Sequence, residues 1–385
     1  VDVVEFGEPG GGDRPGRSWP RWLPALVVVA AIVVALVLRH GAGGSGTASP
    51  SPSPSTTPTA SPLTGAPALA ASSPGPVVTD LGHPLLGVTG GWELFARGDT
   101  DVVRIQFARG RVTRTPVPAV MSGGPGYFVV GRDWAVVRPL DFVPGYLIPD
   151  GGPARALTGA LDHGGPALPG PDPATLWVSA GSGVTGTMVL ARPDGRSTGV
   201  SVRMPPDIDD WPRPDASGHL LLHGTGGSYL ARPDGLRRIT TGDLLAVGPT
   251  RWLVRECDDR HRCGAVVIDR GTGARRALDV PAGLGTGYPS PGVISPGGAF
   301  AALFETGSNG LGSAHLLDLV SGVDRRLDVP VDQSYDDGLA WSPDGRWLFA
   351  AGADGQVLAV DAATGRPHGI GVQLPPIRQL AIRGS

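Results

Sequence analysis

Near its C-terminal end the chain reads Leu339-Ala-Trp-Ser-Pro-Asp-Gly-Arg-Trp-Leu-Phe-Ala-Ala-Gly352, then Gln356-Val-Leu-Ala-Val-Asp-Ala-Ala-Thr-Gly-Arg366. Short apolar runs flank Ser342-Pro-Asp-Gly345, and a third run ends in Asp361-Ala-Ala-Thr-Gly365. Pro343 presets the φ of a turn, and Asp344 and Gly345 tolerate the positive φ that closes it. Nearly continuous apolar runs bounded by such turns are strands buried on both faces. The unit is strand, tight turn, strand, short loop, strand, tight turn.

Working outward, the second strand of this unit aligns with segments beginning at Trp92, Trp134, Trp177, Leu220, Trp252, Phe300 and Trp347. The intervals are 42, 43, 43, 32, 48 and 47 residues, the period of a four-stranded propeller blade with one short member. The third strand and its turn recur as Ala191-Arg-Pro-Asp-Gly195, Ala231-Arg-Pro-Asp-Gly235, Ile268-Asp-Arg-Gly-Thr-Gly273, Leu317-Asp-Leu-Val-Ser-Gly322 and Val360-Asp-Ala-Ala-Thr-Gly365. The expected fold class is all-β: a β-propeller of about seven four-stranded antiparallel blades over residues 80–385. A ring needs its ends to meet in one blade, or edge strands stay open. Ile377-Arg-Gln-Leu-Ala-Ile382 reads as the closing strand, completing the blade begun around Leu85 to Val88.

Ser342-Pro-Asp-Gly-Arg-Trp347 and Ser295-Pro-Gly-Gly-Ala-Phe300 resemble the repeat of TolB-like, WD-repeat-like propellers. No Trp-Asp dipeptide ends a third strand, unlike true WD repeats. Val357-Leu-Ala-Val-Asp-Ala-Ala-Thr-Gly365 also resembles the repeat of quinone-cofactor propellers, although Gly369 stands where that family has tryptophan. The TolB-like match is the closer one.

Upstream of the repeats, Leu23 to Leu38 is an apolar run interrupted only by Pro24. As a helix it spans about 24 Å at ~1.5 Å per residue, against a hydrocarbon core of ~30 Å. Trp19, Trp22 and Arg39 at its ends make up the deficit. Arg14, Arg17 and Arg21 precede the run, which places the N-terminus inside and the rest outside. The organisation expected is a short cytoplasmic tail (1–22), a transmembrane signal-anchor (23–38), a disordered Ser/Pro/Thr/Gly/Ala-rich linker (39–79) and the propeller (80–385). A cleaved signal peptide would be shorter and carry a small-residue cleavage site, where Arg39-His40 stands here. Residues 41–79 carry no charge, and their prolines keep them extended. At ~3.1 Å per residue such a stalk reaches about 120 Å.

Composition excludes several chemistries. All 32 basic residues are arginine, so neither a Walker A phosphate loop nor a lysine Schiff base exists. A net charge of −3 offers no footprint for nucleic acid. Metal-dependent propeller hydrolases need converging carboxylates and usually an asparagine. The propeller has only Glu93, Glu256 and Glu305 as glutamates, and Asn309 is the one asparagine. His219 and His223 share a strand face but lack a third ligand. Cys257 and Cys263, between two strand-like runs, fit a bridge across a hairpin in an oxidising compartment.

Tight turns sort to one face of such a ring and longer loops to the other, where function concentrates. The longer loops offer Asp207, Asp209, Asp210, Trp211, Asp258, Asp259, His261, Tyr288, Asn309, Tyr335, Asp336 and Asp337 as a ligand-binding set. An acidic, aromatic-dotted patch suits a protein segment, a polysaccharide or Ca²⁺. The reading is a monomeric, membrane-tethered, extracytoplasmic binding or scaffold propeller, with no catalytic residues and no required cofactor. A hydrolase or lyase of a cell-envelope substrate is the alternative. Carbonate washing should leave the chain with membranes, and protease added to intact cells should digest residues 80–385. Protection from protease would reverse the orientation, and a product beginning near Ser45 would show cleavage.

Overall fold

The computed structural model describes residues 74–118, 126–139, 145–162, 165–180, 186–205, 207–208, 210–232, 234–280, 291–305, 311–332 and 338–384. The tail, the apolar run Leu23 to Leu38 and most of the linker lie outside them. Among the described residues no helix is long and apolar enough to cross a membrane. They are all-β, with two short 3-10 turns and no α-helix.

The Ser342-Pro-Asp-Gly345 turn forms as its residue types dictate. Gly345 donates to the Ser342 carbonyl at 2.9 Å with φ of 69°. The Ser342 hydroxyl accepts the Trp347 N–H at 2.9 Å, which starts the next strand. Ser295 repeats this with Phe300 at 3.0 Å. A third copy, Asp215-Ala-Ser-Gly-His219, has no Ser-Pro signature. The Asp215 carboxylate accepts the N–H groups of Ser217 and His219, both at 2.8 Å. All three leading side chains are buried, so each turn is built around one satisfied polar group.

The strands form a propeller-like ring. Strands Gly126–Val130, Trp134–Pro139, Tyr146–Pro149 and Arg155–Ala156 make one four-stranded sheet in chain order. Ala167–Pro169, Leu176–Ser179, Thr187–Ala191 and Ser197–Arg203 make the next, and Arg213–Pro214, Leu220–Gly224, Gly227–Arg232 and Gly235–Thr240 the one after. Leu339–Trp341, Trp347–Ala351, Val357–Asp361 and Pro367–Gly369 make the last. Between them runs a continuous eight-stranded sheet, so the seven separate sheets expected are not what forms. Its antiparallel halves, Asp243–Val247 to Arg275–Leu278 and Gly292–Ile294 to Asp324–Asp332, join where Ala246 and Val247 pair in parallel with Gly292 and Val293. Small residues allow the approach: a Cβ on Gly248 would lie 2.6 Å from the Ile294 Cβ.

Apolar side chains interlock successive sheets. Val129, Trp134 and Val136 pack with Ala167, Leu176 and Val178. Trp177 and Met188 pack with Leu220 and Leu222, and Leu221 and Leu230 with Trp252 and Val254. Phe304 and Leu316 meet Trp341 and Leu348. Finally Trp347 and Phe349 pack with Trp92, Leu94 and Phe107, so the last sheet meets the first.

That first sheet closes the ring. Its order is Val77–Asp80, Arg111–Pro116, Asp101–Gln106, Glu93–Gly98 and Ile377–Arg383. The C-terminal strand closes it as expected, but against Glu93–Gly98, from Glu93↔Arg383 to Gly98↔Ile377. Residues 85–88 make no strand: Val88 donates to the Leu85 carbonyl at 3.0 Å in a turn that buries both side chains. Val77–Asp80, of which residues 77–79 are grouped by composition with the linker, pairs with Arg111–Pro116 as an outer fifth strand.

The closure carries an ionic clasp. Arg383 donates to Glu93 through Nε at 2.9 Å and to Asp150 of the neighbouring sheet at 2.8 and 3.0 Å. Arg104 reaches both carboxylates, at 2.6 and 2.8 Å. Burial pushes the Glu93 carboxyl up, but hydrogen bonds from Arg104, Gln106 and Arg383 outweigh it and hold the group below the ordinary glutamate value. Arg383→Ala should lower stability by about 1.5–3 kcal/mol in chemical denaturation. Because the folded-state pKa of Glu93 is depressed, its contribution is complete above the unfolded value and is lost as pH falls through the folded one. The variant should therefore unfold at a higher pH than the wild type on the acid side. An unchanged acid limb would remove Glu93 from the clasp.

Candidate functional site

Within each antiparallel four-stranded unit, the first-to-second and third-to-fourth connections lie at one edge. Second-to-third connections share the other edge with the links between units. The turns built on Ser342, Ser295 and Asp215 occupy the first edge. The second edge holds the candidate site, across the sheet of Leu220–Gly224 and the half-sheet of Arg251–Cys257.

Met204, Pro205, Asp207, Ile208, Asp210, Trp211 and Pro212 precede the strand Arg213–Pro214. Ile208 is buried and bridges to Gly224, and a Cβ on Gly224 would lie 2.6 Å from the Asp207 carbonyl oxygen. The loop is thus seated on the Leu220–Gly224 hairpin, with the Asp207 side chain exposed. Asp210 accepts the Trp211 N–H at 2.7 Å and the Arg213 guanidinium at 3.1 Å. Trp211 is half-buried.

His223, one residue before the end of the hairpin's first strand, is exposed, with Nδ1 3.3 Å from the buried Ser228 hydroxyl. Ser228 is cross-strand to Thr240, whose hydroxyl donates to Glu256 at 2.7 Å and so ties this sheet to the next unit. Arg275 also holds Glu256. Burial acts to raise the Glu256 pKa, but the bonds from Arg275 and Thr240 leave it lowered. His219 sits near Asp215 at 3.8 Å, within the turn at the opposite edge. The two histidines therefore have different neighbours, Asp215 for one and Ser228 for the other.

Beyond Glu256, Cys257 and Cys263 face each other across the hairpin and are disulfide-bonded, as their spacing suggests. Residues 258–262, expected among the long irregular loops, instead form a tight turn. The Asp258 carboxylate accepts the N–H groups of Arg260 and Arg262 at 2.9 Å and the Arg262 Nε at 2.8 Å. The His261 N–H closes on the Asp258 carbonyl at 2.8 Å, with His261 at φ of 58°. The Arg262 side chain, then its N–H, holds Asp258 below the ordinary aspartate value. Asp258 is spent inside the turn, and Asp259, Arg260 and His261 form the exposed tip.

The structure thus brings Asp207, Asp210 and Trp211 to the same edge as Asp258, Asp259 and His261, linked through Gly224, Ser228, Thr240 and Glu256. Asp209, Tyr288, Asn309, Tyr335, Asp336 and Asp337 lie outside the described residues. Among the described residues no group of three or more His, Cys, Asp or Glu side chains is close enough to hold a metal ion. Sequence reasoning missed Thr240, Glu256 and Arg275. Their only signal is that opposite charges fall on neighbouring strands at one end.

No family model matches the chain, and no curated protein matches it by sequence. Solved structures similar in fold include a prolyl endopeptidase, with a TM-score of 0.50 at 13% identity. That match covers 80% of this chain and 50% of the other, so the chain spans half that enzyme's length. A putative 6-phosphogluconolactonase from Bacteroides fragilis NCTC 9343 matches with a TM-score of 0.46 at 12% identity, covering 78% of this chain and 99% of that one. TolB from Acinetobacter baumannii matches at 0.43 and 17%, covering 80% and 83%. At these identities the likeness concerns the fold alone.

Thiol labelling of the denatured, unreduced chain should give no signal, since both cysteines are bridged. The closed loop is short, so Cys257→Ser/Cys263→Ser should cost stability toward the lower end of ~2–4 kcal/mol in urea unfolding. A larger loss would make the bridge a support of the whole domain.

Proposed function

We propose that the chain is a membrane-tethered, extracytoplasmic β-propeller that binds a protein or glycan partner without catalysis. Counting the two halves of the eight-stranded sheet separately gives it seven blades. The binding edge carries the Asp207 loop and the Cys257–Cys263 hairpin. The observation behind this reading is the state of the acids there. Glu256 and Asp258 are held ionised by Arg275 and Arg262, with lowered pKa values. A general acid or base works best with a pKa near the operating pH, whereas recognition needs charges that stay fixed. Rigidly held ion pairs next to an exposed Asp259, Arg260 and His261 serve the second purpose.

A second observation concerns mobility. The hairpin tip and the Asp207 loop are pinned by backbone and disulfide contacts, so little entropy is lost when a partner docks. The test is a pull-down from cell-envelope fractions, together with a glycan array, using the full chain. Asp259→Ala/His261→Ala should weaken any captured partner by about tenfold, the effect of losing roughly 1.4 kcal/mol. Val320→Ser, at an exposed position on the opposite edge, should change nothing. Loss of binding by the second variant with the first unaffected would move the site to the turn edge.

A further inference from the structure

The Cys257–Cys263 bridge joins residues that the sheet already holds opposite each other. Below it the register runs unbroken from Arg251↔Asp269 to Glu256↔Gly264. Trp252, Leu253, Val254, Val267 and Ile268 bury that part of the hairpin in two apolar clusters, and neither cysteine belongs to a cluster. The bond closes only a short loop, so it removes little freedom from the unfolded chain. It therefore contributes less than a bridge between distant segments would, toward the lower end of ~2–4 kcal/mol. Its location is also unusual for a structural bond, because Cys257, Cys263 and every residue between them are exposed.

What the bond does hold is the tip. The turn's other restraints are hydrogen bonds and one ion pair between Asp258 and Arg262, all at the surface, where such pairs contribute about 0–1 kcal/mol. We infer that the Cys257–Cys263 bridge is a reversible redox latch on the hairpin tip, opened by a dithiol reductant and reset by a disulfide oxidant.

The exchange balances without any other group. One thiolate of the dithiol attacks a cysteine sulfur and forms a mixed disulfide. Its second thiol then displaces the protein, leaving Cys257 and Cys263 as thiols and the reagent as its own disulfide. Two electrons and two protons pass to the protein. These are the only two cysteines of the chain, so no third thiol can divert the reverse step. The persisting strand register returns the pair to bonding position.

Control of partner binding by this latch rests on the proposed function above, but the latch is measurable without a partner. The full chain, in detergent micelles without denaturant, is treated with dithiothreitol, alkylated and read by mass spectrometry. It is then digested briefly with trypsin, which cuts after Arg260 and Arg262. Both cysteines should alkylate while tryptophan fluorescence stays native. Cleavage at the tip should become about tenfold faster, following the larger open population. Oxidised dithiothreitol should restore resistance, and Cys257→Ser/Cys263→Ser should behave as the reduced form without reagent. Cysteines that alkylate only in denaturant, unfolding on reduction, or unchanged tip cleavage would each overturn the latch. Equal capture of a partner by both redox forms, with the cleavage difference intact, would uphold the latch and remove the tip from the binding edge.

Discussion

The antiparallel pairing of Ile377–Arg383 with Glu93–Gly98 is the contact on which the ring depends. Every residue of Glu93–Gly98 is buried, which a strand achieves only with neighbours on both edges and both faces. Without the C-terminal strand, that inner edge would present unpaired N–H and C=O groups to water or to other chains. The same strand brings Ile377 and Leu380 into the cluster with Trp92, Phe107 and Phe349, so closure joins the first and last sheets by apolar contact too. Arg383 then spans to Asp150 on the following sheet, and Gln379 donates to the Gly126 carbonyl there at 2.8 Å. One terminal strand thus fixes three successive sheets.

Arginine does elsewhere what it does at the clasp. Arg251 donates to the Gly298 carbonyl at 2.7 Å, and Arg325 to the Ala363 carbonyl at 2.7 Å. Arg270 bonds the Gly248 carbonyl at 2.6 Å, pairs with the buried Asp215 and lies 4.7 Å from the Trp252 ring centroid. The contacts with Gly298, Ala363 and Asp215 cross from one four-stranded unit to the next, while those of Arg270 with Gly248 and Trp252 stay within its own unit. A planar fork with five donors can bond two acceptors and stack on a ring at once, which an ammonium on a flexible stem cannot do. A chain with no lysine has only this residue for the task, and it uses it as the outer fastening of an apolar wedge.

Much of this was legible in the sequence because the repeat is written in turn chemistry. Trp134, Leu220, Phe300 and Trp347 begin their strands, and Trp92, Trp177 and Trp252 fall within one residue of a strand start. The short interval between Leu220 and Trp252 arises because Thr225-Gly226 and Thr241-Gly242 connect strands that longer loops join elsewhere. Less could be read where a contact depends on register between distant segments. The partner of Ile377–Arg383 is one such case, and the parallel pairing of Asp243–Val247 with Gly292–Ile294 is another, since nothing local marks either. The tight turn at 258–262 is hidden in the sequence for a related reason. Asp258 looks like a free acid in the sequence, but its carboxylate is the acceptor around which the turn is wound.

The two edges of the ring differ in how much freedom the fold leaves them. At the turn edge, Ser342, Ser295 and Asp215 are buried and fully engaged, and the Trp177 Nε1 donates to the Gly218 carbonyl of the next sheet at 2.8 Å. A side-chain Cβ at Gly218 would lie 2.1 Å from the Gly170 carbonyl oxygen, so even a methyl group there would disturb two sheets. Residues at that edge are therefore constrained by the ring before any ligand is considered. At the opposite edge the inter-sheet ties lie deeper, at Thr240 and Glu256, and the segments beyond them carry only local restraints. Asp207, Asp259 and Arg260 can change without touching the packing between sheets. A scaffold tolerates functional variation only where its own contacts do not compete, and in this ring that condition is met at the edge of the Cys257–Cys263 hairpin.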